Sequence, residues 1–348
     1  MSLSLKLSAS VESPAPLGGR TLALLIAPPP GDGLRPLATS GTSAALPFAL
    51  GLRVVDFQLA TLLRAGVSDV IVIQPEAADR SLQDHLREVW QPAFTRLACL
   101  AGPMSTKRGA FSLSILRRCL ALINAIDPAE LLVLSADHIC DPDLGAMIAF
   151  HREQMAVATL EALPGEDPTS RLQTWLPAIS LGDMAETGIM ILNWAWLRDG
   201  LETKRITGEN LPNQVISRLT VGGNVQVWSG AQPRAYWRNL DSLDTFRVTW
   251  LDFEGGGALP CRLPMPGTKD ELMDMGRLSL MPNVRDSVIM PGASVAAGAF
   301  VSRAIIAPGA HVPDGVVIGQ DPEFDARYYS LTLGGTTLVT AEMLAALT

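Results

Sequence analysis

The strongest constraint on the fold is a repeat near the carboxyl end of the chain, VIMPGASVAAGAFVSRAIIAPGAHVPDGVVIGQ. Aliphatic residues recur there at intervals of 6, 6, 5, 6 and 6 residues, and small or turn-forming pairs such as Pro291-Gly292 separate them. The recurring positions are Ile289, Val295, Val301, Ile306, Val312 and Ile318. An irregular Ala/Gly/Val-rich segment is the alternative, but five successive intervals agree within one residue. The spacing therefore predicts a short parallel β-helix, with fewer than two coils.

The chain before this repeat alternates between apolar strand-like runs and helical patterns, from Leu22 to about Val248. Predicted buried strands cover Leu22–Ala27, Asp69–Pro75 and Leu131–His138, and helical segments precede the second and third of them. Such alternation is typical of a mostly parallel sheet with helices on both faces. Ligands of these sheets bind beyond the carboxyl ends of the strands, where the loop after the first strand and Asp137 would lie.

Composition narrows the classes of partner. The 348 residues are 48% hydrophobic and 18% charged, which indicates a globular chain long enough for two domains. A net charge of −8 argues against a nucleic-acid partner, and no apolar run reaches the length of a membrane span. The amino terminus lacks the apolar core of a secretory signal, and the four cysteines are scattered. We expect a cytoplasmic protein with free thiols, at Cys99, Cys119, Cys140 and Cys261.

The loop after the first predicted strand carries three consecutive prolines, in the run IAPPPGDGLRPL. In α/β proteins this loop usually cradles phosphate, because glycines let its backbone N–H groups point at the ligand. Proline has no N–H to donate and fixes φ near −65°. Pro28, Pro29 and Pro30 therefore stand where phosphate donors would be needed.

Several longer stretches resemble the bacterial ADP-glucose pyrophosphorylase family, and together they cover nearly the whole chain. They are LPFALGLRVVDFQLATLLRAG, LLVLSADHICDPDLGAMIAFH, ETGIMIL, YWRNLDSLDTF and the carboxyl-terminal IGQDPEFDARYYSLTLGGTTLVTAEML. The resemblance implies a nucleotidyltransferase domain with a Rossmann-like, mostly parallel sheet, followed by a left-handed parallel β-helix. It also implies a reaction, in which ATP and glucose 1-phosphate give ADP-glucose and pyrophosphate with the help of Mg²⁺.

On this basis we expect four regions. Residues 1–20 form a flexible tail, and residues 21–252 form the nucleotidyltransferase-like domain. A Gly- and Pro-rich linker covers 253–280, and residues 281–348 form the hexapeptide-repeat β-helix domain with the carboxyl-terminal tail.

The family's phosphate loop, approximately AGGxGxRLxPLT, falls on residues 27–38, and here the chain departs from it. Both early glycines are prolines, and the position of the catalytic arginine is Gly33. Arg35 lies two residues further on, and Asp32 adds a negative charge. The lysine of the family's RAKPAVPF falls on Ser43. Arg35 is thus a vestigial catalytic residue.

Other ligand positions are altered as well. The family's GTADA stretch, which helps to hold the nucleotide, falls on residues 109–113 and retains only its glycine, Gly109. Together with Gly31 and Gly33 of the phosphate loop, Gly109 is a vestigial nucleotide-binding residue. The sugar-phosphate motif EKP has no counterpart between Leu160 and Thr187, and ENLPNQVI lacks the lysine of DFGKDIIP.

The metal site that the family implies is reduced to Asp137 and Asn239. The aspartate of the family's YWRDVG, its second Mg²⁺ ligand, is Asn239, which keeps an oxygen but not the charge. Asp137 is retained, either as a residual Mg²⁺ ligand or as a carboxylate that caps nearby N–H groups. The metal site is therefore expected to be weak or lost.

Three further sets of residues have structural interpretations. Arg53 and Asp56 match the framework that orders the family's first helix, and His138 is expected to pack beside Asp137 rather than act as a base. The tryptophans form no stacking series and are expected to pack in the core or on the surface, at positions 175, 194, 196, 228 and 237.

These observations predict a family member with a disabled active site that acts as a structural or regulatory subunit in glycogen synthesis. The resemblance implies a homo-oligomer, a dimer or tetramer with closed symmetry, and we expect association with a catalytic ADP-glucose pyrophosphorylase paralogue. Two alternatives remain open. One is an active nucleotidyltransferase that uses Mg²⁺, Arg35 and Asp137 on ATP and a sugar 1-phosphate. The other is a sensor that binds ATP or a sugar phosphate without turnover.

Overall fold

A seven-stranded sheet forms the centre of the amino-terminal part of the chain. The computed structural model describes residues 19–102, 104, 113–164, 184–207, 224–230, 236–254, 258–264 and 283–347. The sheet strands are β1 (Thr21–Ile26), β2 (Asp69–Pro75), β3 (Arg96–Gly102), β4 (Glu130–Ser135), β6 (Ala158–Pro164), β7 (Met184–Asn193) and β8 (Val225–Trp228), whereas β5 (His138–Cys140) and β9 (Trp237–Asn239) form a separate ribbon. The order is β3-β2-β1-β4-β7-β6-β8. Only β7 runs antiparallel to its neighbours, so the predicted mostly parallel sheet is confirmed.

Helices cover both faces of this sheet. They are α1 (Val54–Arg64), α2 (Ser81–His85), α3 (Leu113–Ile126), α4 (Leu144–Glu153) and α5 (Trp194–Glu202). A further helix, α6 (Leu243–Glu254), packs in a separate cluster with residues of the carboxyl-terminal part. Alternate residues of β1 face opposite sides: Leu22 and Leu24 pack in a cluster with α3 and α5, whereas Ala23 and Leu25 pack in one with α1 and α4. This two-sided burial explains why the sheet strands read as continuous apolar runs.

The predicted strand Leu131–His138 is wrong as a single element. Strand β4 ends at Ser135, and after a turn at residues 136–137 the short strand β5 begins at His138. Strand β5 leaves the sheet and pairs antiparallel with β9, with His138 opposite Asn239. Asp137 therefore lies in the turn between the sheet and this ribbon.

Helix α1 begins within a hydrogen-bonded framework centred on Asp56. Its carboxylate accepts from the backbone N–H of Arg53 (2.7 Å) and from Nε1 of Trp90 (2.7 Å), and it lies 2.6 Å from Nε2 of His85. Nη1 of Arg53 donates to the carbonyl of Ala45 at 3.0 Å. The structural roles predicted for Arg53 and Asp56 are confirmed by these contacts.

The carboxyl-terminal part is a parallel β-helix with three strand stacks. The stacks are β10-β13-β16, β11-β14-β18 and β12-β15, from β10 (Val284–Arg285), β11 (Val288–Ile289), β12 (Ser294–Val295), β13 (Phe300–Ser302), β14 (Ala304–Ile306), β15 (His311–Val312), β16 (Val317–Ile318) and β18 (Thr337–Val339). Val284 pairs with Val301 and Ser294 with His311, each 17 residues apart, which is one cycle of the 6, 6 and 5 spacing.

The prediction of fewer than two coils is wrong. Two coils are complete, and β16 starts a third that β18 resumes after an insertion. The insertion holds helix α7 (Pro322–Tyr328) and strand β17 (Ser330–Leu331), and helix α8 (Ala341–Ala345) follows β18. The aliphatic spacing missed the third coil because the insertion interrupts the period before β18.

An aromatic cluster joins the two parts of the molecule. The ring of Phe48 lies 5.4–5.9 Å, centroid to centroid, from those of Phe57, Phe246, Trp250 and Phe253. The same buried cluster includes residues of the β-helix: Val288, Met290, Ile305 and Leu338. Helix α6 therefore has the β-helix packed against it. Within the described ranges, no helix has the length and hydropathy needed to cross a membrane.

Candidate active site

The proline loop, residues 27–38, follows β1 at the carboxyl end of the sheet. Its polar backbone groups are bonded mainly within the protein. The carbonyl of Pro28 accepts from Oγ1 of Thr42 at 2.9 Å. The amides of Leu34 and Arg35 both donate to the carbonyl of Gly31, at 3.0 and 2.9 Å. The loop is thus a series of closed turns, and these N–H groups are not directed toward a ligand.

Gly33 is in close contact with the residues that lead into helix α6. Its carbonyl accepts from the amide of Leu243 at 3.1 Å. A Cβ at this position would lie 3.1 Å from the carbonyl oxygen of Asp241 and 3.3 Å from Ser242. The position at which the resemblance expects a catalytic arginine therefore has little space for any side chain.

The remaining cation of the loop is already paired. Nη2 of Arg35 lies 3.0 Å from Oδ1 of Asp32, and both side chains are exposed. Ser43, at the family's lysine position, is buried in the short turn Ser43–Ala45, where Oγ1 of Thr42 accepts from the N–H of Ala44 at 3.3 Å. Neither position offers a free cation to a phosphate.

The carboxylate of Asp137 accepts a hydrogen bond from a neighbouring hydroxyl. Oγ of Ser135 donates to Oδ1 of Asp137 at 2.5 Å, and Nε2 of His138 lies 3.5 Å from the same oxygen. Burial lowers the pKa of His138, with the charges of Asp137 and Asp241 opposing this, so the imidazole is neutral at pH 7. Its ring packs on Trp237, with centroids 4.8 Å apart. His138 is thus a packed neighbour of Asp137, as expected.

Asn239 lies opposite His138 in the β5–β9 ribbon. Its Oδ1 is buried and accepts no hydrogen bond from the part of the chain that the structure describes. A Mg²⁺ ion held by protein side chains normally relies on carboxylates together with substrate phosphates. Among the described residues, no three His, Cys, Asp or Glu side chains form a group that could hold a metal ion. One carboxylate and one amide do not fit a tightly bound Mg²⁺.

Three of the expected site features lie outside the described residues. They are Gly109 with residues 110–112, the ENLPNQVI segment, and Trp175, whereas Leu113 begins helix α3. The other tryptophans are packed individually: Trp194 is buried beneath the sheet, and Trp228 lies against Phe150 with ring centroids 5.1 Å apart.

A buried acid near this end of the sheet was missed at the sequence level. Glu161 lies in β6, where the pairing with β7 shifts register between Leu160 and Ala162. Oγ1 of Thr187 donates to Oε2 of Glu161 at 2.6 Å. Burial raises the pKa of Glu161 to about 7, although the hydrogen bond from Thr187 opposes the shift. A single Glu within the apolar run ATLEALP was the available signal.

Comparison with known proteins agrees with this architecture. Residues 23–170 match the family model described as nucleotidyl transferase, and residues 272–339 match the GlmU-like, C-terminal hexapeptide model. Glucose-1-phosphate adenylyltransferase 2 of Alkalilimnicola ehrlichii is 26% identical over 95% of this chain and 97% of its own length. The glucose-1-phosphate adenylyltransferases of Paraburkholderia phymatum and Paramagnetospirillum magneticum are 24% and 26% identical, each over 93% of this chain and over 96% and 94% of their own lengths.

A mostly parallel sheet with a loop and an acidic turn at its carboxyl edge, followed by a hexapeptide β-helix, defines the class of nucleotidyltransferase-fold proteins. Within that class the similarity extends over both parts of the chain and almost the full length of the relatives. At 24–26% identity over nearly the whole chain, this similarity supports a divergent member of the ADP-glucose pyrophosphorylase (glucose-1-phosphate adenylyltransferase) family.

Proposed function

We propose that this chain is a non-catalytic family member that acts as a structural or regulatory subunit in glycogen synthesis, in the cytoplasm. The observation that carries the proposal is the contact between Gly33 and Asp241. With 3.1 Å from the Gly33 Cβ position to the Asp241 carbonyl, an arginine could not replace this glycine without moving helix α6 or the loop.

The expected loss of rate is large. Removing one preorganised donor to a developing negative charge costs about 3–4 kcal/mol of transition-state stabilisation. Here prolines replace two candidate N–H donors, Gly33 and Ser43 replace two cations, and Asn239 replaces a carboxylate. Even partly additive losses correspond to more than about a millionfold in rate.

A subunit role is supported by the contacts that stabilise the fold of the chain. The Asp56 framework, the aromatic cluster around Phe48 and the stacked coils of the β-helix are all present. Drift in a protein without a use would have affected framework and ligand positions alike. The asymmetry between them supports a role in which the assembled shape is used.

The surface for assembly is the open end of the third coil. Val317 of strand β16 is exposed there, as are Phe324 and Tyr328 of helix α7 in the insertion that follows it, and the rings of Phe324 and Tyr328 lie 4.6 Å apart. Exposed apolar side chains and an unpaired strand edge are a liability unless another surface covers them. We propose that a second copy or a catalytic paralogue covers this end.

Light scattering on the purified chain, followed by co-expression with an active glucose-1-phosphate adenylyltransferase of the same host, tests the subunit role. We expect a dimer or tetramer and co-purification of the two chains. The double variant Phe324→Ser/Tyr328→Ser should weaken both self-association and binding to the paralogue. Val248→Ser, which alters an equally exposed apolar residue on helix α6, is the matched control and should change neither. A strict monomer that does not co-purify with the paralogue would refute the proposal.

A further inference from the structure

The start of helix α6 contacts two separate structures at once. On one side it is bonded to the proline loop, and on the other to the hairpin of the β-helix, residues 330–339. We propose that Asp244, Thr332 and Thr336 form a latch through which the β-helix holds the proline loop closed. The proposal concerns conformational coupling and holds whether or not the chain turns over substrate.

The hairpin side of the latch is a carboxylate shared by two hydroxyls. Oδ1 of Asp244 accepts from Oγ1 of Thr332 at 2.8 Å and from Oγ1 of Thr336 at 2.5 Å. Oγ1 of Thr332 also accepts from the amide of Thr336 at 2.9 Å, so the two threonines are fixed relative to each other. Hydrogen bonds to a charged acceptor are among the stronger ones in proteins.

The turn of the hairpin fits closely around Asp244. A Cβ on Gly334 would lie 2.6 Å from the Asp244 carboxylate, so no side chain fits at this position without displacing it. The carbonyl of Gly334 accepts from Nη2 of Arg303 in the β-helix at 2.8 Å. The turn is therefore fixed from the β-helix side while it encloses the carboxylate.

A second contact lies one helical turn further along α6. Nε of Arg247 donates to Oγ1 of Thr336 at 3.0 Å, and its Nη1 donates to the carbonyl of Asp286 at 2.9 Å. Residues three apart lie on the same face of a helix. The face of α6 that carries Asp244 is thus bonded to two segments of the β-helix.

The loop side of the latch is formed by the residues immediately before Asp244. The amide of Leu243 donates to the carbonyl of Gly33, and a Cβ at Gly33 would lie only 3.1 Å from the carbonyl oxygen of Asp241 and 3.3 Å from Ser242. Leu34 and Leu243 are buried in the same apolar cluster. Because residues 241–244 are consecutive, displacing Asp244 from the hairpin must also disturb the backbone that covers the loop.

Hydrogen exchange of individual amides in the full-length protein tests the coupling. Asp244→Ala removes the acceptor, and Asp244→Asn keeps an oxygen at the same place. Asp252→Ala is the matched control, because Asp252 lies on the same helix but accepts from Tyr236 instead of the hairpin. Gly334→Ala provides an independent disturbance from the β-helix side.

We expect Asp244→Ala to speed exchange of the hairpin amides, such as that of Thr336, and of the loop amides of Leu34 and Arg35, each by about tenfold or more. Gly334→Ala should do the same, whereas Asp244→Asn and Asp252→Ala should leave the loop near its original rates. Faster exchange in the hairpin with unchanged exchange in the loop, in either disturbing variant, would overturn the proposal. If Asp244→Ala unfolds globally, so that hairpin and loop amides both lose their protection from exchange, Gly334→Ala becomes the deciding variant. None of these results depends on catalytic activity, so they are separate from the test of inactivity.

Discussion

The amide nitrogen of Leu243 lies 3.1 Å from the carbonyl oxygen of Gly33, which connects the first turn of helix α6 to the middle of the proline loop. A phosphate-binding loop must direct its amides outward, toward the ligand. In this protein the amides of Leu34 and Arg35 donate to the carbonyl of Gly31 inside the loop, and the carbonyl of Gly33 faces α6. Leu34 of the loop is buried in the same apolar cluster as Leu243 and Phe246, so the loop is part of the packing around α6.

Gly33→Arg is expected to destabilise the protein and not to restore activity. Its Cβ would press on the carbonyl oxygen of Asp241 at 3.1 Å, and overpacking of this kind costs about 1–3 kcal/mol. Urea unfolding measures the loss. Gly145→Ala is the control: its Cβ would meet neighbours only at 3.6 and 3.9 Å, so stability should stay unchanged or rise slightly. A Gly33→Arg variant as stable as the original protein would show that the loop adapts.

Asn239→Asp is expected to strengthen Mg²⁺ binding beside Asp137. The buried Oδ1 of Asn239 has no partner among the described residues, and a carboxylate there would add the charge that hard cations prefer. Titration calorimetry should show no sub-millimolar Mg²⁺ binding by the original protein and binding about tenfold tighter or more in the variant.

The control for the metal experiment is the double variant Asp137→Ala/Asn239→Asp, which should lose the added affinity. Sub-millimolar Mg²⁺ binding by the original protein that disappears in Asp137→Ala would contradict this account of the site.

Glu161 makes stability depend on pH. Its pKa is about 7 in the folded protein, against 4.5 for an unperturbed glutamate. The folded state therefore keeps a proton that the unfolded state releases, and the stabilisation present below pH 4.5 is lost as the pH rises through 7. We expect the free energy of unfolding to fall by roughly 3 kcal/mol over this range relative to Glu161→Gln, which keeps the acceptor for Thr187. Equal slopes for both proteins in urea unfolding between pH 5 and 8 would show that Glu161 stays charged.

Alanine substitutions at two glycines of the β-helix distinguish the cost of a strained backbone from the cost of a steric clash. Gly315 and Gly319 both have positive φ, 78° and 82°. A Cβ on Gly315 would meet nothing within 4 Å, whereas one on Gly319 would lie 1.7 Å from the carbonyl oxygen of Ser302. Gly315→Ala should cost about 1–2 kcal/mol for the strained backbone, and Gly319→Ala clearly more. Thermal unfolding measures the loss of stability in each variant. Equal losses in the two variants would mean that neighbouring coils move apart at little cost to accommodate the added Cβ.

The periodic parts of the fold could be predicted from the sequence. The strand Asp69–Pro75 and the 17-residue coil follow from local patterns, because buried strands and stacked coils impose a regular spacing on apolar residues. The break after Ser135 could not be predicted, because the apolar run continues through it. Only the tertiary pairing of His138 with Asn239 takes β5 out of the sheet. The third coil was missed for a similar reason, since the insertion before β18 hides its period.

The sequence shows which residues of the candidate site differ from the family pattern, but it does not show which residues these positions contact in the folded protein. The prolines and Gly33 are visible in the sequence, whereas the contact of Gly33 with Asp241 joins residues far apart in the chain. The ion pair of Arg35 with Asp32 is local and could have been anticipated from their i, i+3 spacing. Glu161 was overlooked because nothing in its neighbourhood shows that Thr187 will lie beside it.

The central claim is that this active site does not turn over substrate, and pyrophosphate release tests it most directly. The purified protein is incubated with ATP, glucose 1-phosphate and Mg²⁺ beside an active family member and the variant Asp137→Asn. We expect no release above the protein-free background, or only a trace that Asp137→Asn leaves unchanged and that therefore comes from a contaminant. Turnover within a hundredfold of a typical enzyme rate of ~10 s⁻¹, abolished in Asp137→Asn, would contradict the account.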